Sequence, residues 1–363
     1  MAETSVSNSR RRVLSGMRPT GKLHLGNYMG ALYNWVRLQD QYDCFFFIAD
    51  WHALTTDYAN PGNVKEKCFE VALDFLAGGL DPEKCVIFRQ SHVPEHASLH
   101  LLFSMFTPLG WLERVPTYKD QQEQLREKDL ATYGFLGYPL LQAADILLYK
   151  PDFVPVGQDQ VAHVELTREV ARRFNQLYDS RWSEAIAQAE SDKERIKAEV
   201  SANSLIELTF PEPQALLTPS PKLPGLDGRK MSKSYGNTLM LNESEADIRA
   251  KLKTMVTDPA RVRRTDPGNP DVCPVFDLHK VFSPAEKQAE VREGCTTAGI
   301  GCIQCKGWLA DNVVAELAPI QERRAKYEAN PHLVTEILEA GAARAHAKAA
   351  ASMKDALVAL GME

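Results

Sequence analysis

Residues 13–49 read VLSGMRPTGKLHLGNYMGALYNWVRLQDQYDCFFFIA, and this stretch decides the fold. The apolar start Val13-Leu14 leads into the turn Ser15-Gly16-Met17-Arg18-Pro19-Thr20-Gly21. A helical pattern runs from about Gly26 to Gln41, and Cys44-Phe45-Phe46-Phe47-Ile48-Ala49 is apolar at every position. An unbroken apolar run fits a strand covered on both faces, as in a parallel sheet. Strand, crossover helix and strand make one βαβ unit.

The alternation continues outward. Val64 to Ala77 reads as helix and Cys85-Val86-Ile87-Phe88 as the next strand. Pro139 to Tyr149 and Asp159 to Phe174 read as helices around a short strand, Val154-Pro155-Val156. This is an α/β fold with a parallel sheet. A helical, Gln/Lys/Glu-rich segment at about 94–136 interrupts it and reads as an insertion. A charged, Ala-rich stretch within about 178–208 reads as a surface excursion. Five prolines between Pro211 and Pro224 suggest an extended linker. After Asn242 the pattern is almost wholly helical, so an α/β domain over 1–240 and an α-helical domain over 241–363 are expected.

The chain has 363 residues, 44% hydrophobic and 25% charged, which excludes collagen-like and disordered classes. Its longest apolar stretch is far short of the ~18 residues a membrane span needs. Met1 to Ser9 is small and polar and is followed by Arg10-Arg11-Arg12, unlike a secretory leader, so a cytoplasmic protein is expected. Net charge is −6, yet residues 222–264 hold ten Lys/Arg against five Asp/Glu and end in Arg261, Arg263 and Arg264. Such a segment reads as a polyanion site or as solvated surface.

Several motifs carry chemistry. Gly16 to Lys22 has the glycine and lysine spacing of a phosphate-binding loop, but Leu23 stands where a hydroxyl should ligate Mg²⁺. In His24-Leu25-Gly26-Asn27, at a helix start, Gly26 leaves room for a flat base, and His24 and Asn27 direct donors at phosphate. Lys230-Met231-Ser232-Lys233-Ser234 places two lysines three apart on a glycine-flanked loop, suited to charge developing on a leaving polyphosphate. Tyr138, Gln142, Asp145 and Tyr149 recur on one helical face among Leu140, Leu141, Ile146, Leu147 and Leu148. That face is either an internal hydrogen-bond network or a pocket for an aromatic ligand with one edge donor. Asp159 in Gly157-Gln158-Asp159-Gln160 is placed to cap the next helix. Cys273, Cys295, Cys302 and Cys305 have the spacing C-x21-C-x6-C-x2-C, open to zinc, to an iron–sulfur cluster or to no metal.

HLGN (a HIGH-type motif) together with KMSKS resembles a class I aminoacyl-tRNA synthetase, and the surrounding sequence resembles the tryptophanyl-tRNA synthetase family. The resemblance runs through Ser15 to Ala31, Ala49 to Thr55, Tyr138 to Tyr149, Val154 to Asn175, Leu223 to Asn237 and on into the cysteine region. It implies a Rossmann-like catalytic domain, an anticodon-binding helical domain and a homodimer. It also implies ATP with Mg²⁺, L-tryptophan and tRNA(Trp) as substrates and partners. By resemblance, Asp145 accepts the indole N–H, Tyr138 and Gln160 hold the amino and carboxylate groups, and His52 lines the pocket. Arg18, Pro19, Thr20, Gly26, Asn27, Gly157, Gln158 and Asp159 match the ATP site. His24, Asn27 and Lys230 to Ser234, above all Lys230 and Lys233, match the catalytic loops. A bacterial subset carries a [4Fe–4S] cluster on cysteines like these four, favouring a cluster over zinc. Gln142 departs from the bacterial pattern, and Gln with Asp three residues on also resembles archaeal tyrosyl enzymes. Tyrosine is therefore the alternative substrate, and a non-catalytic RNA-binding relative the alternative class.

Overall fold

The computed structural model describes residues 10–116, 118, 128–187, 208–217 and 223–363. Among these residues five parallel strands form one sheet in the order β3-β2-β1-β4-β5. They are β1 (Arg12–Met17), β2 (Asp43–Ile48), β3 (Cys85–Arg89), β4 (Phe153–Val156) and β5 (Gln214–Leu217). β2 pairs residue for residue with β1, from Arg12↔Asp43 to Met17↔Ile48. The apolar run of β2 is buried on both faces as its composition requires: Cys44, Phe46 and Ile48 enter one core, Phe45 and Phe47 the other.

The first crossover helix, α1, changes pitch along its length. Leu25–Asn27 is α-helical, Tyr28–Leu32 is π-helical and Tyr33–Leu38 is α-helical again. A π-turn of this kind recurs beside functional sites. After β2 come α2 (Asp50–Asp57) and α3 (Val64–Gly78); Asn63 caps α3 by accepting from Glu66 N at 3.1 Å. α4 (Glu95–Ser104), α5 (Leu109–Glu113) and α6 (Tyr133–Leu136) follow β3. Residues 117 and 119–127 of the expected 94–136 insertion lie outside the described residues. The part that is described is not peripheral: His96, Leu99 and Phe103 of α4 are fully buried. α7 (Tyr138–Tyr149), α8 (Val161–Tyr178) and α9 (Ser180–Ala187) complete this part, and most of the expected 178–208 excursion again lies outside the described residues.

Two local expectations need correction. Residues 214–217, read as part of a proline-rich linker, form β5 on the sheet edge, paired with β4 from Phe153↔Gln214 to Val156↔Leu217. The prolines flank the strand instead of occupying it, so its ladder survives. Asp159 does not cap α8: it lies inside a 3₁₀ turn, Gln158–Gln160, and the helix starts from Gln160 without a side-chain cap.

Beyond residue 242 only helices are described: α10 (Glu245–Thr254), α11 (Pro274–Phe282), α12 (Ala285–Thr296), α13 (Cys302–Glu328) and α14 (Pro331–Ala359). α13 packs along α3, and its Arg324 pairs with Glu70 and the fully buried Asp74. α14 crosses the open side of β3. Its Val334 and Leu338 join the core on one face of the sheet, and its Ala342, Ala345 and Ala349 join the other. Gly341 sits at the crossing, where an added Cβ would lie 1.8 Å from the Ile87 carbonyl oxygen. Arg344 donates to the carbonyls of Pro82 (3.0 Å) and Cys85 (3.4 Å). Among the described residues no helix is long and apolar enough to cross a membrane.

Candidate active site

The cleft opens where the strand order reverses. β1 has β2 on one side and β4 on the other, but it pairs with β4 only at Val13↔Phe153. Beyond that pair Pro155, which has no N–H to offer a ladder, sits in β4, and the strands part. A cavity of ≈ 350 Å³ lies between them, walled by Leu14, Ser15 and Gly16 on one side and Val154 to Gly157 on the other. Ligands of open α/β sheets bind at such a switch point.

α7 delivers three of the expected residues to this cavity. Tyr138, Gln142 and Asp145 line it together with Arg18, His52, Gly157, Gln160 and His163. Tyr149, on the same helical face, lies deeper and is fully buried, 5.1 Å from Phe45 and 5.5 Å from Phe88 between ring centroids. Asp145 is 1% exposed. Its Oδ2 accepts from His52 Nε2 at 2.7 Å, and its Oδ1 accepts from His96 Nδ1 at 2.6 Å and Gln90 Nε2 at 2.8 Å. Burial alone would raise this carboxyl, but His52 and His96 more than offset it and bring it down to about 2. Asp145 is therefore an acceptor at neutral pH. For His163 burial itself is the lowering cause, with His52 adding to it, and brings the ring down to about 4.

The two signature loops meet each other two residues beyond Arg18, which lines the cavity, but none of His24 to Asn27 or Lys230 to Ser234 lines it. Lys233 Nζ donates to the Thr20 carbonyl at 2.6 Å and lies 3.3 Å from its hydroxyl. Behind them the backbones interlock: Leu25 N donates to Leu239 O at 2.9 Å and Leu241 N to Leu23 O at 3.0 Å. Met231 is buried and anchors the lysine loop, its N–H donating to Leu223 O at 3.0 Å, while Lys230 and Ser234 are exposed. Ser232 and Ser234 share a hydroxyl hydrogen bond of 2.8 Å.

His24 is 8% exposed, and burial together with Lys233 and Lys230 lowers it to about 4, so it is neutral at neutral pH. Asn27 Oδ1 accepts from His24 N at 3.2 Å, fixing the entry to α1. Gly26 is needed for close packing: a Cβ there would fall 2.9 Å from the His24 ring and 3.6 Å from Met231 Cβ. Burial also lowers Lys233 from the usual lysine range. Arg18 donates to Thr56 Oγ1 at 2.5 Å, next to Pro19 and Thr20.

Sequence reasoning missed several supports. Asn237 staples the lysine loop: its Oδ1 accepts from Ser232 N at 2.8 Å and its Nδ2 donates to Asp227 Oδ1 at 2.6 Å. Gly225 makes this possible, since a Cβ there would lie 2.2 Å from Asn237 Nδ2. Asp74 accepts from Leu23 N at 2.6 Å and so braces the residue before His24. The signal for Asp74 was a lone acid in the apolar run of α3, and for His96 and Gln90 there was none.

The four late cysteines gather around the start of α13. Burial pushes Cys305 up to about 12, with Cys273, Cys295 and Cys302 all near enough to add to the shift. Arg261 points Nη1 at Cys295 Sγ (3.8 Å), and His279 Nε2 is 3.4 Å from Cys305 Sγ. Among the described residues no group of three or more His, Cys, Asp or Glu side chains is arranged to hold a metal ion. Arg261, expected on a basic surface, is 9% exposed and bonds the Ile300 carbonyl at 2.6 Å, while Arg263 and Arg264 are exposed.

A switch-point cleft beside an HLGN turn that is joined to a lysine loop defines a class I aminoacyl-tRNA ligase. Residues 6–318 match the family model of class I tRNA synthetases for tryptophan and tyrosine (W and Y). The tryptophan–tRNA ligase of Ralstonia nicotianae is 51% identical, covering 97% of this chain and 98% of the relative. That of Thermotoga maritima is 52% identical, covering 95% and 97%. The solved tryptophanyl-tRNA synthetase of Campylobacter jejuni, complexed with ADP and tryptophan, aligns with a TM-score of 0.79 at 32% identity, covering 96% of this chain and 99% of that one. The chain belongs to the tryptophanyl-tRNA synthetase family.

Proposed function

We infer that this chain charges tRNA(Trp) with L-tryptophan in two steps. A carboxylate oxygen of tryptophan attacks the α-phosphorus of ATP, the bond to the bridging oxygen breaks, and tryptophanyl-adenylate forms as Mg²⁺-pyrophosphate leaves. The 3′-terminal ribose hydroxyl of the tRNA then attacks the acyl carbon, and AMP departs. No covalent enzyme nucleophile is required, since positioning and charge stabilisation carry such transfers.

In this reading Asp145 accepts the indole N–H, Tyr138 and Gln160 hold the amino and carboxylate groups, and His52 closes the pocket beside them. Gly157 and Asp159 meet the ATP ribose, with Gln158 adjoining, and the Arg18-Pro19-Thr20 turn and Gly26 line the nucleotide site. Neutral His24 and Asn27 donate to phosphate. Lys230 and Lys233 offset charge on the departing pyrophosphate, Lys233 exchanging the Thr20 carbonyl for a phosphate oxygen. Residues 1–240 carry the catalytic side chains and helices within 241–363 read the anticodon, with exposed Arg263 and Arg264 towards RNA, while α14 of the second segment packs back on the sheet. Leu101 on α4, Met105 just past its end and Leu109 at the start of α5 are 56–70% exposed, apolar surface suited to a homodimer. The resemblance assigns Cys273, Cys295, Cys302 and Cys305 to a [4Fe–4S] cluster that would tie α11, α12 and α13 together; against it stands the finding that, among the described residues, these thiols are not arranged to hold a metal. We place the enzyme in the cytoplasm.

The observation that carries the reading is the Lys233–Thr20 contact, which brings together two loops 213 residues apart. Lys233→Ala should lower tryptophan-dependent ATP–pyrophosphate exchange about 10²–10³-fold and leave tryptophan affinity by calorimetry nearly unchanged. Equal losses in both would remove Lys233 from the transition state.

A further inference from the structure

Asp145 is held from behind as well as from the cleft. A carboxylate has about four lone-pair positions. His52, His96 and Gln90 fill three of them, which leaves one for a donor on the substrate. His52 lines the cleft, whereas His96 and Gln90 are both 0% exposed and neither lines it.

His96 has a second partner, since its Nε2 lies 2.8 Å from the Tyr149 hydroxyl. An ionised carboxylate only accepts, so Nδ1 carries a proton and donates to Asp145, while Nε2 shares a hydrogen bond with the Tyr149 hydroxyl. Gln90 is fixed in the same way: its Oε1 accepts from Trp51 N at 3.1 Å, so its amide cannot turn over without losing both bonds. One carboxylate is thus oriented from two elements, α4 and the turn after β3.

We propose that His96 and Gln90 are positioning residues for amino-acid recognition, fixing the plane and charge of Asp145 so that one lone pair faces the cleft. The inference rests on reading Asp145 as the acceptor of the indole N–H. A pair that merely fills the core would support folding and leave recognition unaffected.

The test is ATP–pyrophosphate exchange between about pH 5 and 8, with KM for tryptophan and for ATP measured separately. His96→Leu removes the donor to Asp145. In His96→Asn the amide stands near the place of Nδ1, so the donor survives and only the Tyr149 link is lost. His96→Leu should raise KM for tryptophan about 10- to 100-fold, leaving KM for ATP in place. Its effect should grow as pH falls, because a carboxyl short of a donor takes up a proton more readily. His96→Asn should restore most of the affinity and a flat profile. His52, His100, Glu95 and Tyr149 are the other titratable groups around this network, with His163 beside His52. They are common to all variants, so the difference between profiles reports Asp145.

An unmoved KM for tryptophan in His96→Leu overturns the inference, as does a parallel rise in both KM values without pH dependence. If His96→Leu does not fold, Gln90→Met carries the same expectation and the same refutation. Asp145→Asn separates the two levels. If it leaves KM for tryptophan unchanged, the reading of Asp145 fails. If it acts while His96→Leu or Gln90→Met does not, only the positioning role fails.

Discussion

Arg324→Met is the most informative single change outside the cleft. The Arg324 side chain is 3% exposed and pairs with Asp74 at 1%, Glu70 at 23% and Glu328 at 49%. The outer two acids are partly hydrated, so most of the loss falls on Asp74. Removing one partner of a buried pair costs about 3–5 kcal/mol, and about 3 is expected here because Asp74 can escape by protonation. Burial already pushes its carboxyl up to about 6, against the pull of Arg324. In the variant that pull is gone and the shift grows. An acid raised in the folded state favours folding below its unfolded pKa and loses that advantage as pH rises through the folded value. The deficit in urea unfolding should therefore be larger at about pH 8 than at pH 5. Adding Asp74→Asn, whose oxygen still accepts from Leu23 N, should recover roughly 1–2 kcal/mol at the higher pH. Because Asp74 braces the residue before His24, KM for ATP should rise more than KM for tryptophan. A pH-independent deficit, or a double variant no more stable than the single, would refute this account.

Two further outcomes follow from buried groups. Gly341→Ala should gain about 1 kcal/mol of helix propensity yet lower stability by roughly 1–2 kcal/mol net in thermal melts, because the Ile87 carbonyl is fixed in the sheet; a higher Tm would contradict the packing. Imidazole titration by NMR should find His24 and His163 neutral down to about pH 4. Unfolded histidines take up protons from about 6.5, so their contribution is complete above that pH and is lost as pH falls towards 4. Either ring titrating near 6.5 in the folded protein would count against that burial.

Much of this was legible because the chemistry needs unusual local sequence. Glycines and lysines at fixed spacing marked both loops, and a strand buried on both faces had to be apolar throughout, as Cys44 to Ala49 is. Tyr138, Gln142 and Asp145 were readable as one face because helical periodicity survives any tertiary setting. The supports were not legible. Asn237, Gln90 and His96 act through partners up to 55 residues away, so neither periodicity nor spacing marks them. β5 was hidden by its flanking prolines, which read as linker although none lies among the four paired residues. Arg261 looked like surface charge because composition counts a buried guanidinium and a solvated one alike.

The crossing of α14 over β3 has a consequence for how the molecule is made. β3 ends at Arg89 and α14 begins at Pro331, so the ribosome adds 241 residues between them. At roughly 5–20 residues per second that is about 12–50 s, during which the outward carbonyls of Cys85 and Ile87 await their cover. A bare strand border is a template for pairing with another chain. A nascent polypeptide of this sequence is therefore most prone to clump in that interval, and the last helix to emerge ends the exposure.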